Sequence, residues 1–263
     1  MTDDKMPLTV HLEELRKRLI RSLIALVVGF GICYSFKEKI FSFLAKPLEA
    51  QLPEGSTLQY IGIPEAFLTY LKICLFGGLI IALPFILYQV WKFVAPGLYK
   101  TEKRYAFPFV LLSTLFFLGG ASFCYFIVFP FVFRFFMTFS NETLKAMPAI
   151  KQYLGFITRL LIAFGLVFEM PVFFFFLGRI GLVSYKGLAR QRRIAVVLVF
   201  VGAAFLTPPD VVSQLLLAGP LLILFELSIQ IVRITGKKRP DYVVDEDEED
   251  EQEKPEETEE FAG

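Results

Sequence analysis

Three carboxylates in this sequence stand where they could do chemistry, and each would do it by holding a positive charge or a proton. Glu14 lies in Pro7-Leu8-Thr9-Val10-His11-Leu12-Glu13-Glu14-Leu15-Arg16-Lys17-Arg18-Leu19, where Leu8, Leu12, Leu15 and Leu19 recur at helical spacing. Arg18 follows one turn later. Glu14 therefore either closes an i,i+4 pair, about 0.3–0.5 kcal/mol when exposed, or offers its carboxylate to an outside cation. Glu102 is the one carboxylate in the connection 92–104, among Lys92, Lys100, Lys103 and Arg104, and has the same two readings. Glu169 stands in Ala163-Phe164-Gly165-Leu166-Val167-Phe168-Glu169-Met170-Pro171, inside an apolar run, where an ionisable group costs several kcal/mol unless partnered, neutral or wet. It is either a protonated carboxyl bonded to a helix carbonyl freed near Pro171, or a proton or ion site.

Other chemistries lack their residues. There is no GxSxG, HExxH or GxxxxGK[ST] pattern, and His11 is the single histidine. Cys33, Cys74 and Cys124 sit singly in apolar runs without CxxC spacing. No catalytic residue, cofactor or metal is expected, and nothing calls for nucleic acid.

The elements that must position the carboxylates belong to a bilayer. Of 263 residues, 55% are apolar, 20% are charged and 31 are Phe, and the mean hydropathy is +0.58. Too little polar surface remains to cover a water-soluble globule. Six apolar runs occupy about 19–36, 66–91, 105–133, 153–178, 194–206 and 211–232. Crossing roughly 30 Å of hydrocarbon takes about 20 helical residues, which every run but the fifth supplies. The fifth ends at Thr207-Pro208-Pro209-Asp210 and the sixth starts at once, so the two form a tight antiparallel hairpin that would thin the bilayer locally. The expected fold is an all-α polytopic membrane protein of six transmembrane helices, the fifth and sixth short. Its expected parts are an amphipathic N-terminal helix at 1–18, a six-span domain at 19–232, and at 233–263 a basic exit with a disordered acidic tail.

Charge orients the bundle. The net charge of +1 hides +13 over residues 1–240 and −12 over 241–263. Alternate connections carry 18 Lys/Arg on the side of the termini against 6 on the other, so the positive-inside rule puts both termini in the cytoplasm. Residues 37–65 and 134–152 then form two external loops. Trp91 and Tyr99 read as interfacial anchors, Glu226, Lys72 and Arg159 as snorkelling side chains, and Gln214 as a hydrogen-bonding tie between helices.

Together these residues closely resemble one family: TatC, the multispanning subunit of the twin-arginine protein translocase. The resemblance runs from about His11 to Arg233. It is carried by His11-Leu12-Glu13-Glu14-Leu15-Arg16-Lys17-Arg18-Leu19, Leu87-Tyr88-Gln89-Val90-Trp91, Ala95-Pro96-Gly97-Leu98-Tyr99-Lys100 with Glu102, Phe164-Gly165 through Glu169-Pro171, and Leu206-Thr207-Pro208-Pro209-Asp210-Val211 with Gln214. It implies a cupped six-span bundle in the cytoplasmic membrane that receives twin-arginine signal peptides of folded cargo, with transport driven by the protonmotive force. The implied partners are the single-span subunits TatA and TatB, other copies of the chain, and membrane lipid. The resemblance assigns Glu14, Glu102, Arg16, Phe93 and Pro47 to signal-peptide binding, and Glu169, Gln214 and Asp210 to an intramembrane polar group serving transport. Glu13 and Glu14 point about 100° apart on a helix, so one of them faces any given site. The competing classes are a proton-coupled small-solute transporter using Glu169 and a non-transporting assembly scaffold.

Overall fold

Each apolar run becomes a helix, and most of the helices extend past their runs. The computed structural model describes residues 8–52, 58–59, 61–94, 106–139, 147–206 and 211–236. Helix α1 (Leu8–Ser35) carries the amphipathic segment and the first span without a break. After Phe36 come α2 (Lys37–Glu49) and then α3 (Glu65–Val94). Helix α4 (Ala106–Phe123) continues through a π-helical turn, Cys124–Val128, into α5 (Phe129–Met137). Helices α6 (Ile150–Phe168) and α7 (Met170–Arg179) follow one path that breaks at Glu169. The short α8 (Tyr185–Arg190) precedes α9 (Arg192–Leu206) and α10 (Val211–Thr235).

Five of the six passes are long enough to span, at 24 to 31 residues each. Helix α9, at 15 residues, covers only about 22 Å. The expectation of a short fifth span holds, whereas α10, expected to be short as well, runs 25 residues and is long enough to span. Only 17% of the apolar window of α1 is buried within the protein, and Leu19, Leu23, Val27 and Val28 point outward. Water would not tolerate such a face, but acyl chains are its natural solvent.

The helices meet where side chains are small. A methyl on Gly29 of α1 would lie 2.6 Å from the Gly78 carbonyl oxygen of α3, so the two backbones touch. The inward stripe of α1 is Glu14, Arg18, Ser22, Ala25, Gly29 and Cys33, at helical spacing, and Cys74, Gly78, Ala82 and Gln89 are buried on α3. Between α4 and α6 the contact is reciprocal: a Cβ on Gly120 would meet the Phe168 ring at 2.7 Å, and one on Gly165 the Phe117 ring at 2.6 Å. Phe117, Phe129 and Phe164 lie within 1% of complete burial.

The antiparallel packing of α1 on α3 puts the start of α1 and the end of α3 together at what we term the Glu14 end. At the opposite end, α2 buries Leu44, Ala45 and Leu48. Pro47 lacks an N–H, so the Phe43 carbonyl one turn earlier loses its helical donor. The Tyr125 hydroxyl donates to that carbonyl at 2.6 Å, and the Phe43 and Tyr125 rings stack 4.5 Å apart. Tyr153 donates to the next carbonyl, of Leu44, at 2.8 Å. A single parallel bridge between Gln59 and Ala149 ties together the two long loops of this end.

Candidate functional site

The Glu14 end is built by aromatic and small-residue contacts that fix where its charges stand. Trp91 near the end of α3 stacks on Phe109 of α4 at 4.3 Å and meets Phe176 of α7 edge-on at 4.6 Å. Only 4% of Trp91 is exposed, so it is a core residue of this cluster rather than the interfacial anchor that the sequence suggests. Helix α7 ends at Gly181, whose φ of 79° suits a glycine beyond a helix C-terminus. Gly178 packs against Val232 of α10, and Arg233 lies over the Tyr185 ring of α8, 5.4 Å from its centre. Arg192 at the start of α9 forks onto both carboxylate oxygens of Glu226, at 3.1 and 2.5 Å. Glu226 thus clamps α10 to α9, where snorkelling alone was expected.

Helix geometry separates Glu13 from Glu14. Glu13 pairs with Lys17 at 2.7 Å in the open, both side chains more than 60% exposed. Glu14 turns toward α3 and accepts a hydrogen bond from Arg18 Nη2, and Arg18 itself is only 7% exposed. The i,i+4 pair that the sequence allowed is therefore formed, but in a helix seam and not on a solvated face. Gln89 lies eleven residues beyond Gly78 and Arg18 eleven before Gly29, which brings the two buried side chains level across the seam. Four residues further out on each helix, Phe93 comes level with Glu14. Arg16, two residues from Glu14, is exposed on the outer side of α1. The sequence offers Arg18 only as an i,i+4 partner of Glu14 and Gln89 only within a motif, without a role of their own in the seam. Their signal was their place in the stripes of small residues, 18-22-25-29-33 and 74-78-82-89, in which each is the one long polar member.

The remaining candidates divide. Glu102 and Asp210 lie outside the described residues. Pro47 is not with Glu14: from Glu14 to the end of α1 the helix alone rises about 30 Å, and α2 follows at the far end. Its grouping with a signal-peptide site at the Glu14 end is corrected by that separation. Glu169 occupies the break between α6 and α7, with Ser113 of α4 within hydrogen-bond reach and, among the described residues, no partner for its Oε1. Gln214 donates through Nε2 to the Phe200 carbonyl of α9 at 2.9 Å, the helix tie expected of it. The intramembrane polar pair is thus not brought together, since Glu169 faces α4 and Gln214 faces α9. A cavity of about 340 Å³ between α7, α9 and α10, walled by Met170, Phe174, Leu198, Val199, Leu221 and Phe225, includes neither. Among the described residues no three His, Cys, Asp or Glu side chains cluster as metal ligands.

A carboxylate held at a base-rich rim is suited to binding a cation. The family described as Sec-independent protein translocase protein (TatC) matches residues 10–220. The chain is 51% identical over 247 residues to the Sec-independent protein translocase protein TatC of Desulforapulum autotrophicum, covering 94% of this chain and 90% of that one. It is 46% identical over 238 residues to the protein of the same description from Campylobacter jejuni, covering 90% and 97%. A crystal structure described as the twin arginine translocase receptor TatC superposes with a TM-score of 0.78 at 40% identity, covering 86% of this chain and 99% of that one. By its six-pass bundle, its motifs in order and these similarities along nearly its whole described length, the chain belongs to the TatC family.

Proposed function

We propose that this chain receives twin-arginine signal peptides at the Glu14 end and forms the core of a translocase carrying folded proteins across the cytoplasmic membrane, driven by the protonmotive force. The observation that carries the reading is Glu14. Its carboxylate already holds a guanidinium, in a chain whose fold matches a structure described as a twin-arginine receptor. Guanidinium is planar, permanently charged and able to bond a carboxylate through two N–H groups, so a carboxylate suited to one arginine suits another. In this reading Glu102 receives the second arginine. Phe93, level with Glu14, offers an aromatic face beside the first, and exposed Arg16 helps to orient the peptide on the rim. Glu169 and Gln214 act during transport at separate places in the bundle, and Asp210 takes part in the same step. Pro47 serves indirectly, through the docking of α2 at the far end.

The Glu14 end is the cytoplasmic one. Arg16, Lys17, Arg21, Lys92, Arg179, Lys186, Arg190, Arg193 and Arg233 gather there, as the positive-inside rule requires of a cytoplasmic face. TatA, TatB and further copies of the chain are its protein partners, and lipid surrounds the exposed face of α1. A solute carrier built on Glu169 finds no support, because the cavity between α7, α9 and α10 is apolar and excludes that carboxyl.

The test is photocrosslinking from positions 14, 93 and 102 to synthetic signal peptides bearing Arg-Arg or Lys-Lys. Crosslinks with the Arg-Arg peptide that Lys-Lys competes for poorly are expected. Equal competition by Lys-Lys would remove the receptor assignment, and phosphatase activity from a fusion at the C-terminus would invert the orientation.

A further inference from the structure

A receptor for arginine has no evident need for an arginine of its own beside the receiving carboxylate, yet Arg18 is there and buried. Its Nη2 donates to Glu14, and among the described residues its Nε and Nη1 meet no acceptor. Burying a guanidinium costs several kcal/mol, of which one carboxylate bond offsets a part. Gln89, 5% exposed, lies level with Arg18 across the seam, and its side-chain carbonyl oxygen has no donor among the described residues. A buried acceptor without a donor, level with a guanidinium whose donors lack acceptors, costs the resting fold free energy. The pair makes physical sense if the guanidinium has two places to be.

Resting on the reading that Glu14 receives a peptide arginine, we propose that Arg18 and Gln89 are positioning residues of a guanidinium exchange, in which Arg18 occupies Glu14 until the peptide arginine displaces it and Gln89 Oε1 then accepts the displaced Arg18 N–H. Only hydrogen bonds change partners, and no proton moves. The incoming guanidinium can place two N–H groups on Glu14, where Arg18 had placed one. A lysine ammonium restores a point contact without the fork, while still requiring Arg18 to leave. Specificity for arginine over lysine is thereby set inside the seam as well as at the carboxylate.

The test uses the full chain in one detergent, with equilibrium affinity for Arg-Arg and Lys-Lys peptides and the midpoint of thermal unfolding measured together. Gln89→Leu removes the acceptor at similar volume. It is expected to weaken Arg-Arg binding roughly tenfold or more, the effect of losing a hydrogen bond to a charged group, at an unchanged or higher midpoint. Gln89→Glu draws Arg18 away from Glu14, so Arg-Arg binding should tighten and the gap between Arg-Arg and Lys-Lys should narrow. Wild-type affinity in both Gln89 variants, with binding lost in Glu14→Gln, overturns the exchange and leaves the receptor reading standing. A lowered midpoint in Gln89→Leu also overturns it, because Gln89 would then be bonded at rest. Full Arg-Arg binding by Glu14→Gln, or none by the wild type, overturns the receptor reading and the exchange with it.

Discussion

Replacing Glu14 by Ala should damage the fold before it reports on binding. The substitution removes the carboxylate and leaves Arg18 in the α1–α3 seam, where its side chain is 9% exposed against 27% for that of Glu14. Breaking a buried pair from one side costs about 3–5 kcal/mol, and the partial exposure of Glu14 lowers the expected loss to just under that range, about 2–3 kcal/mol. Glu13→Ala is the internal control. Its pair with Lys17 is exposed, so its loss should cost less than about 1 kcal/mol. The chain carries its own reporters, because Cys33, Cys74 and Cys124 are free and buried and a thiol-reactive dye labels them only as the bundle opens. In a fixed detergent the unfolding midpoint should fall clearly for Glu14→Ala and hardly for Glu13→Ala. Adding Arg18→Leu to Glu14→Ala removes the stranded charge and should recover most of the loss. Equal midpoints for the two single variants, or no recovery in the double variant, would refute the reasoning. The practical consequence is that peptide binding should be compared in Glu14→Gln, which keeps an oxygen for Arg18 while removing the charge.

Four further expectations rest on particular residues and segments. Tyr125→Phe leaves the Phe43 carbonyl without a donor and should cost about 1–3 kcal/mol; in a Pro47→Ala background the restored backbone N–H satisfies that carbonyl and the cost should shrink, as a double-mutant cycle on unfolding midpoints will show. Pro47→Ala alone should leave Arg-Arg peptide affinity unchanged in detergent, and a loss there would mean that Pro47 does touch the peptide. Gly78→Leu drives a side chain into the α1 backbone, where even a Cβ would stand 2.5 Å from the Phe30 nitrogen, so the variant should fail to accumulate in membranes or lose peptide binding, by immunoblot and titration. Deleting residues 245–263, a stretch too charged to pack in lipid, should leave export of a reporter at its wild-type level.

The six passes were legible because a bilayer leaves one secondary structure open to a long apolar run: every backbone group must bond within its own segment. Side chains were less legible, for identifiable reasons. Glu13 and Glu14 are equivalent until the direction of α3 is known, and that direction is set by Gly29 meeting Gly78, some fifty residues apart in sequence. Trp91 carries the composition of an interfacial anchor. Its burial follows from Phe109 and Phe176 arriving on two other helices at the same depth. Pro47 could have been separated from Glu14 on the sequence alone, since the charge count already placed residues 37–65 across the membrane from residue 14. Gln214 was read correctly as a tie between helices, because in a hairpin as tight as α9–α10 an amide has a neighbouring carbonyl within reach. What no one-dimensional pattern could supply was that Glu169 and Gln214 face different neighbours.

The seam also bears on how a membrane receptor can discriminate between two cations of equal charge. An exposed carboxylate holds either a lysine or an arginine by about 0–1 kcal/mol, and salt screens both alike. Adding a second carboxylate strengthens both without separating them much. A carboxylate already engaged by a buried guanidinium behaves differently, because a ligand must first match the bond it replaces. The fork of an arginine exceeds the single Arg18 bond, whereas an ammonium offers a point contact that only equals it. The cost of keeping Arg18 buried in the free protein is offset in part by its bond to Glu14 and by the backbone contact of α1 and α3 at Gly29 and Gly78. Discrimination at the rim therefore depends also on the small residues that set the seam, among them Ala82, about two turns from Gln89 on α3. Enlarging Ala82 should blunt the preference for Arg-Arg over Lys-Lys before it abolishes binding.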